Sequence, residues 1–498
     1  MADLEEEERP RVSGWVYERH VPDQTLLYRV IAQYYPKLVE HLAREQRELP
    51  SYVQREFTDY LRCGRLEYGF LRVRCQDCHA EKRVAFSCKR RGFCPSCGAR
   101  RMVESAALVV DEVIPHVPMR QWVMSVPYPL RFLFATHPQA LGQCLGIVYR
   151  AIASFLIKKA GLTHRKAQCG AVTLIQRFGS ALNLNVHFHM LIPDGVYVSG
   201  TPPYLRKVSP PSVSELHGLL QKISARVGRH LERVGLLVRD MDNSYLDMAG
   251  EGRAGEGRGS GTLEERQTLE DLQTHSITYR IAVGAHKGRK AFMLQSLPPL
   301  NEGEERPGVA QLSGFSLHAG VAAAAHQRYK LERLARYITR PVLALERLSL
   351  TPQGHIRYAL KTPYRDGTTH VILEPLDFLA RLASLVPLPR VNLTRFHGVF
   401  APHAGLRMRI VPAVRKPPHT GPDEEGAFAH RHRAMTWAQR LRRVFNIDIE
   451  TCERCGGAMK IVACIQDPAV IRKLLAAPLA GPLAHTPPAR GPPGGMTR

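Results

Sequence analysis

The chain has 498 residues, with 69 Lys and Arg against 45 Asp and Glu, for a formal net charge of +24. That length admits about two to four domains and at least one sizeable core, and the charge favours a polyanionic partner, nucleic acid before a membrane surface. No apolar run reaches the ~18 residues of a membrane span, the acidic start MADLEEEERPRV is unlike a secretory signal, and eleven Cys with no such signal suggest metal or structural thiols rather than a disulfide framework. The expected location is the bacterial cytoplasm, at the nucleoid, with no membrane partner.

Residues 1–12 read as a charged lead. Apolar residues at helical spacing predict helices over 24–61, broken at Pro50-Ser51, so that 1–62 forms a helical region. A Cys-rich basic module follows, over 63–104. Cys75-x2-Cys78 and Cys94-x2-Cys97, fifteen residues apart, have the spacing of a zinc ribbon, in which Zn²⁺ takes four thiolates in a tetrahedron. Cys63 and Cys88 are left over, as core thiols or alternative ligands, and His79 is a substitute candidate. A closed structural zinc offers no open position for chemistry, so the flanking Arg90, Arg91, Arg100 and Arg101 are expected to contact DNA phosphates.

Helix-like runs and "QWVMSVPYPL", a strand meeting a turn, fill 103–165. Two strand-like runs come next, "AVTLIQRF" and "ALNLNVHFHMLI". In the second, Leu182, Leu184, Val186, Phe188 and Met190 alternate with Asn183, Asn185, His187 and His189. Period-two alternation puts His187 and His189 on one face of a strand, where two imidazoles can share a metal ion. If Gly179-Ser180 is a two-residue turn, Phe178 faces Ala181 and Gln176 faces Asn183. Gln176 then lies on the histidine side as a third ligand candidate; a one-residue slip would reverse this.

The Gly-rich 249–261 reads as a linker or inserted loop within a flexible insertion around 249–265. "TYRIAVGAHKG" and "IRYALKTPYRDGTTHVILEP" resume strand patterns, and Asp366 is a turn residue. Between them "HQRYKLERLARYITRP" predicts a helix ended by Pro341. Leu331, Leu334, Ala335 and Ile338 form its apolar stripe. Tyr337 flanks the stripe, where it can look along the surface the helix packs on. Tyr329 lies nearly opposite, and Arg336 and Arg340 are candidates for phosphate contact. The Pro-rich 413–424 reads as a linker, "HRHRAMTWAQRLRRVF" as a basic helix, and the stretch from 477 as a disordered tail. Cys452-x2-Cys455 is either a thiol turn or a metal half-site, with Cys464 as a possible third ligand.

Together "FSCKRRGFCPSCGARRM", "QRFGSALNLNVHFHMLIPDGVY", "LERLARYITRP", "YRDGTTHVILEPLDFLARL" and "RFHGVFAPHAGLR" resemble the IS91- and ISCR-type transposases of the HUH single-strand nuclease superfamily, over about residues 60–465. The resemblance implies an α+β fold: an antiparallel HUH-type sheet flanked by helices over 105–400, after a zinc-ribbon-like module and before a basic, CxxC-bearing region at 401–476, with the tail at 477–498. It implies Mg²⁺ or Mn²⁺ at His187 and His189, Tyr337 as the nucleophile, and transposition by nicking and rejoining single-stranded transposon ends through a 5′-phosphotyrosine. Arg333 stands where the two-tyrosine relatives carry their first tyrosine, so the chain resembles the single-tyrosine branch. Two other readings stay open: a non-catalytic zinc-ribbon DNA-binding regulator, and a metal-dependent phosphodiesterase with no covalent step.

Overall fold

The computed structural model describes residues 21–239, 244–246, 262–298, 308–412 and 450–476. The charged lead, the Gly-rich stretch, the 413–424 linker, the basic helix and the tail lie outside the described residues. The described chain forms two units, one of 62–88 with 450–476 and one of 23–61 with 89–412. The Cys-rich stretch expected to be one module at 63–104 is therefore divided between them.

The larger unit is built on a six-stranded sheet. Its order is Val309–Leu312, Phe315–Ala323, Met119–Ser125, Leu184–Pro193, Gly170–Phe178 and Thr394–Gly398, and every neighbouring pair is antiparallel. The histidine strand Leu184–Pro193 sits between two strands and is covered on both faces. One face carries Leu184, Val186, Phe188 and Met190, all fully buried, with Trp122 and Met124 beside them. Helices Pro138–Lys159 and Val213–Arg233 cover that face. The first of these is long and apolar enough to cross a membrane by length and composition, yet its apolar side is packed into this core. The second starts at a capping box, Ser212 with Glu215, which satisfies two helix-end donors reciprocally.

The opposite face carries Val172, Leu174 and Leu191 and receives helix Arg328–Thr339 through Leu331, Ala335 and Ile338. This is the stripe expected from the sequence, and the helix stops before Pro341. Strand parity sets which other side chains share this face. Gln176 pairs with His187, and Leu174 pairs with His189. The imidazoles and the tyrosine helix thus lie on the same side of the sheet.

Two local expectations are corrected. The hairpin loop is five residues long, 179–183, and Phe178 pairs with Leu184. Ala181 and Leu182 are fully buried, and Leu182 takes a left-handed φ of 57°, so these apolar residues plug the core under the turn and do not extend the strand. Gly179 is required there because a Cβ would meet Asn183 Oδ1 at 2.3 Å. A bulge lies between Gln176 and Phe178, and the partner of Gln176 moves from the expected Asn183 to His187, an even number of positions, which leaves Gln176 on the histidine face. "TYRIAVGAHKG" forms turns with a single bridge, Arg280 to Lys290, because Tyr279 is left-handed at φ 58°. The strands at Ile356–Ala359 and Thr368–Leu373 form as expected, in a four-stranded sheet with Leu348–Leu350 and Phe292–Gln295.

The smaller unit is a three-stranded sheet ordered Met459–Ile465, Phe70–Cys75 and Glu81–Ala85.

One buried ion pair holds three strands of the central sheet in line. Arg120 donates to both carboxylate oxygens of Asp194, at 2.7 and 2.9 Å, and to the carbonyl of Ala319 at 2.8 Å. Removing one partner leaves a buried charge unpaired. Asp194→Ala is expected to cost about 3 kcal/mol, read as a lower urea midpoint, with part recovered by adding Arg120→Met. An unchanged midpoint would remove the clamp from the account.

Candidate active site

His187 and His189 reach the sheet surface from a strand that leaves them little contact with solvent, 9% and 6% exposed. Their rings are 4.8 Å apart at 62°. Burial favours the neutral imidazole: it pushes His187 down to about 4, and it takes His189 well below its ordinary value, with the neighbouring His187 adding to the effect.

Each ring is held through Nδ1. The carbonyl of Asn185 lies 2.9 Å from His187 Nδ1. A carbonyl can only accept, so the proton sits on Nδ1 and Nε2 presents a lone pair. Gln121, on the adjacent strand, lies 2.7 Å from His189 Nδ1. The amide nitrogen faces the ring and can only donate, so His189 Nδ1 accepts and Nε2 carries the proton; turned over by 180°, the amide would present Oε1 and give His189 the tautomer of His187. His189 Nε2 is buried and has no hydrogen-bond partner among the described residues. With the Gln121 amide turned, the orphaned His189 Nε2 and the His187 Nε2 become two adjacent lone pairs, the donor set a divalent cation takes, and in that arrangement these residues fit a metal ion.

Gln176 donates from Nε2 to the carbonyl of Ile338 at 2.8 Å. It ties the last turn of the tyrosine helix to the strand bearing the histidines and keeps Oε1 as the atom it could give to an ion. The next outward-facing residue of that helix is Tyr337. It is 41% exposed, with the Lys361 ammonium 3.9 Å and the Arg340 guanidinium 4.3 Å from its ring centroid. Arg340 also donates to the Tyr337 carbonyl at 2.7 Å. Gln176, His187, His189, Tyr337, Arg340 and Lys361 line one cavity of about 540 Å³. Tyr329 is exposed, on the outer side of the helix.

The remaining site expectations fare differently. Arg90 donates to Asp59 at 2.6 Å, and Arg91 donates to the carbonyls of Val391 and Leu388 at 2.5 and 2.9 Å. Arg100 binds Glu104 at 3.1 Å, and Arg101 donates to the carbonyls of Arg90 and Lys89. Arg336 lies 4.0 Å from Glu332. The first four guanidinium groups donate to partners inside the fold, Arg336 stands only within ion-pair reach of Glu332, and of the six arginines only Arg340 lines the cavity. Among the cysteines, the thiols do not gather by local spacing. The thiols gathered around Cys75 and Cys78 are those of Cys452 and Cys455. Cys94 and Cys97 belong to the larger unit, at the start of helix Pro95–Ala107.

Gln121 and Lys361 were not anticipated. Gln121 carries a faint signal, a polar residue alternating with Trp122 and Met124. Lys361 lies in the connection before the Arg-Asp-Gly turn, which carries the turn chemistry and gives no sign of what it faces.

Two family models match the chain. The Y2_Tnp transposase family covers residues 170–407, which include every residue lining the cavity. The IS91 transposase zinc-binding domain covers residues 30–126. No curated protein and no solved structure matches. The sheet, the histidine strand, the tyrosine helix and the N-terminal cysteines all fall within these matched segments, and the chain belongs to the IS91-type transposases, DNA-processing enzymes that here carry a zinc-binding domain in the N-terminal part.

Proposed function

We propose that this transposase nicks and rejoins single-stranded DNA at transposon ends, in the cytoplasm at the nucleoid, with Tyr337 as the nucleophile. The observation that carries the reading is the convergence of two neutral imidazoles, a phenol and two cations on one cavity. The Tyr337 oxygen attacks phosphorus as its proton is lost. The bond from phosphorus to the 3′ oxygen breaks, and that oxygen leaves as a 3′-hydroxyl after taking a proton. The 5′ side remains as an aryl phosphodiester on Tyr337. Because one phosphodiester replaces another, attack by a 3′-hydroxyl reverses the step and rejoins the strand without ATP.

An ordinary phenol, with a pKa near ~10, is a weak nucleophile at neutral pH. Lys361 and Arg340 supply positive charge where a phenolate and a phosphate would both bring negative charge. Burial disfavours the Arg340 cation first of all, and a negative charge on Tyr337 opposes that effect. A Mg²⁺ or Mn²⁺ ion held by the Nε2 atoms of His187 and His189, with Gln176 Oε1 as third donor, would polarise a phosphate oxygen when bound. Gln121 and the Asn185 carbonyl are the groups that aim those nitrogens. The net charge of +24 supports a polyanionic partner.

With Mn²⁺ and an end-labelled oligonucleotide from an element end, a denaturing gel is expected to show a protein adduct carrying the 3′ label and not the 5′ label. Tyr337→Phe should abolish it and slow cleavage at least about a thousandfold. Cleavage with no adduct would mean water is the nucleophile, and binding without cleavage would mean a DNA-binding regulator. Lys361→Met should slow adduct formation about tenfold, measured as a single-turnover rate; an unchanged rate would dismiss its role at the phenol. Gln121→Leu should weaken Mn²⁺ binding by about 10- to 100-fold in calorimetric titration without DNA, and equal affinity would show that Gln121 does not orient a ligand.

A further inference from the structure

We infer that the smaller unit binds one structural Zn²⁺ in a site that Cys75 and Cys78 share with Cys452 and Cys455, so that two half-sites far apart in the chain close a single ribbon. The zinc-binding match ends at residue 126 and assigns nothing to the second half.

The two halves are built alike. In the first, the Cys75 N–H donates to the carbonyl of Ala80 at 2.9 Å; in the second, the Cys452 N–H donates to the carbonyl of Gly457 at 2.8 Å. The spacing from donor to acceptor is the same. In each half the residue after the second cysteine is left-handed, His79 at φ 58° and Gly456 at φ 77°. That position explains His79, which serves the turn and is not a ligand. Backbone N–H groups also reach the sulfurs, from Asp77 and Cys78 to Cys75 and from Gly457 to Cys455.

The strands bring the halves face to face. Phe70–Cys75 runs into the first half, and Met459–Ile465 leaves the second. They pair antiparallel, Cys75 with Met459 and Arg74 with Lys460. The Gln76 N–H donates to the Ala458 carbonyl at 2.9 Å, and Lys82 meets Glu453 at 3.0 Å. The outcome is a cluster of four sulfurs. Cys75 Sγ lies 3.5 Å from Cys455 Sγ, Cys78 Sγ lies 3.6 Å from Cys452 Sγ, and all four lie within 4.8 Å of one another. Zn–S bonds of about 2.3 Å place tetrahedral sulfurs about 3.8 Å apart. A disulfide would need them at about 2.05 Å. Cys464 is in the pairing strand opposite Leu71 and outside the group.

The test uses the full-length protein. In the unaltered chain, maleimide alkylation is followed cysteine by cysteine by mass spectrometry, with and without a zinc chelator. Cys455 is exposed, so a free thiol there would react at once. The expected result is protection of at least about tenfold, lost together with that of Cys75, Cys78 and Cys452 when zinc is removed. Metal analysis of Cys452→Ser/Cys455→Ser is expected to show about one zinc per chain fewer than the parent, whereas Cys464→Ser loses none. Free-thiol reactivity at Cys455 in the zinc-loaded protein, an unchanged zinc content in the double variant, or iron in place of zinc would overturn the assignment. None of these readings depends on strand cleavage.

Discussion

The site rests on the cost of charging an imidazole that has been taken out of water. His187 and His189 sit on a sheet face under a packed helix, with no carboxylate among the hydrogen-bond partners of either ring. Neutral rings are the form this environment permits, and a neutral imidazole keeps one nitrogen as a lone pair. The backbone carbonyl of Asn185 decides which nitrogen that is for His187, and for His189 the choice lies with the Gln121 amide, whose nitrogen faces Nδ1 and whose oxygen would do so if the amide were turned. The larger core beneath the strand, with Phe188 between the two histidines and fully buried, prevents the strand from turning its polar side elsewhere. Packing on one face thus sets chemistry on the other.

The tyrosine helix is fixed to the same surface by two unlike interactions. Leu331, Ala335 and Ile338 give it apolar contact without direction, and the Gln176 amide bonded to the Ile338 carbonyl gives it a register. The second matters for placing Tyr337, one residue earlier, at the cavity. A helix free to slide along an apolar seam would carry its phenol away from the imidazoles at little cost. The cations come from different elements again, Arg340 from the end of this helix and Lys361 from the connection between the strands Ile356–Ala359 and Thr368–Leu373. The cavity therefore draws on segments that meet only when the larger unit is folded.

Much of this was legible in the chain because periodicity survives errors of detail. The alternation from Leu182 to Met190 assigned the two faces of the histidine strand. It continued to do so although the turn was longer than expected, since an even displacement keeps parity. The stripe on the tyrosine helix predicted its buried side for the same reason. Pairing across long separations was not legible. Cys75 and Cys78 had an adequate partner nearby in Cys94 and Cys97, and local spacing favoured it. The arginines at 90, 91, 100 and 101 read as a basic patch because charge is visible in a sequence and pairing is not; Asp59, Glu104 and several backbone carbonyls accept hydrogen bonds from these half-exposed groups.

The ribbon's division has a consequence for synthesis. Cys452 leaves the ribosome 374 residues after Cys78, about 20 to 75 s later at ordinary elongation rates. Throughout that interval the first pair of thiols has only half its complement, and the strand Phe70–Cys75 has an unclaimed edge. Segments translated late complete what the early ones begin. A polypeptide interrupted before Cys452 would hold the larger unit complete and this sheet unfinished, so the small unit records that synthesis has passed Cys455.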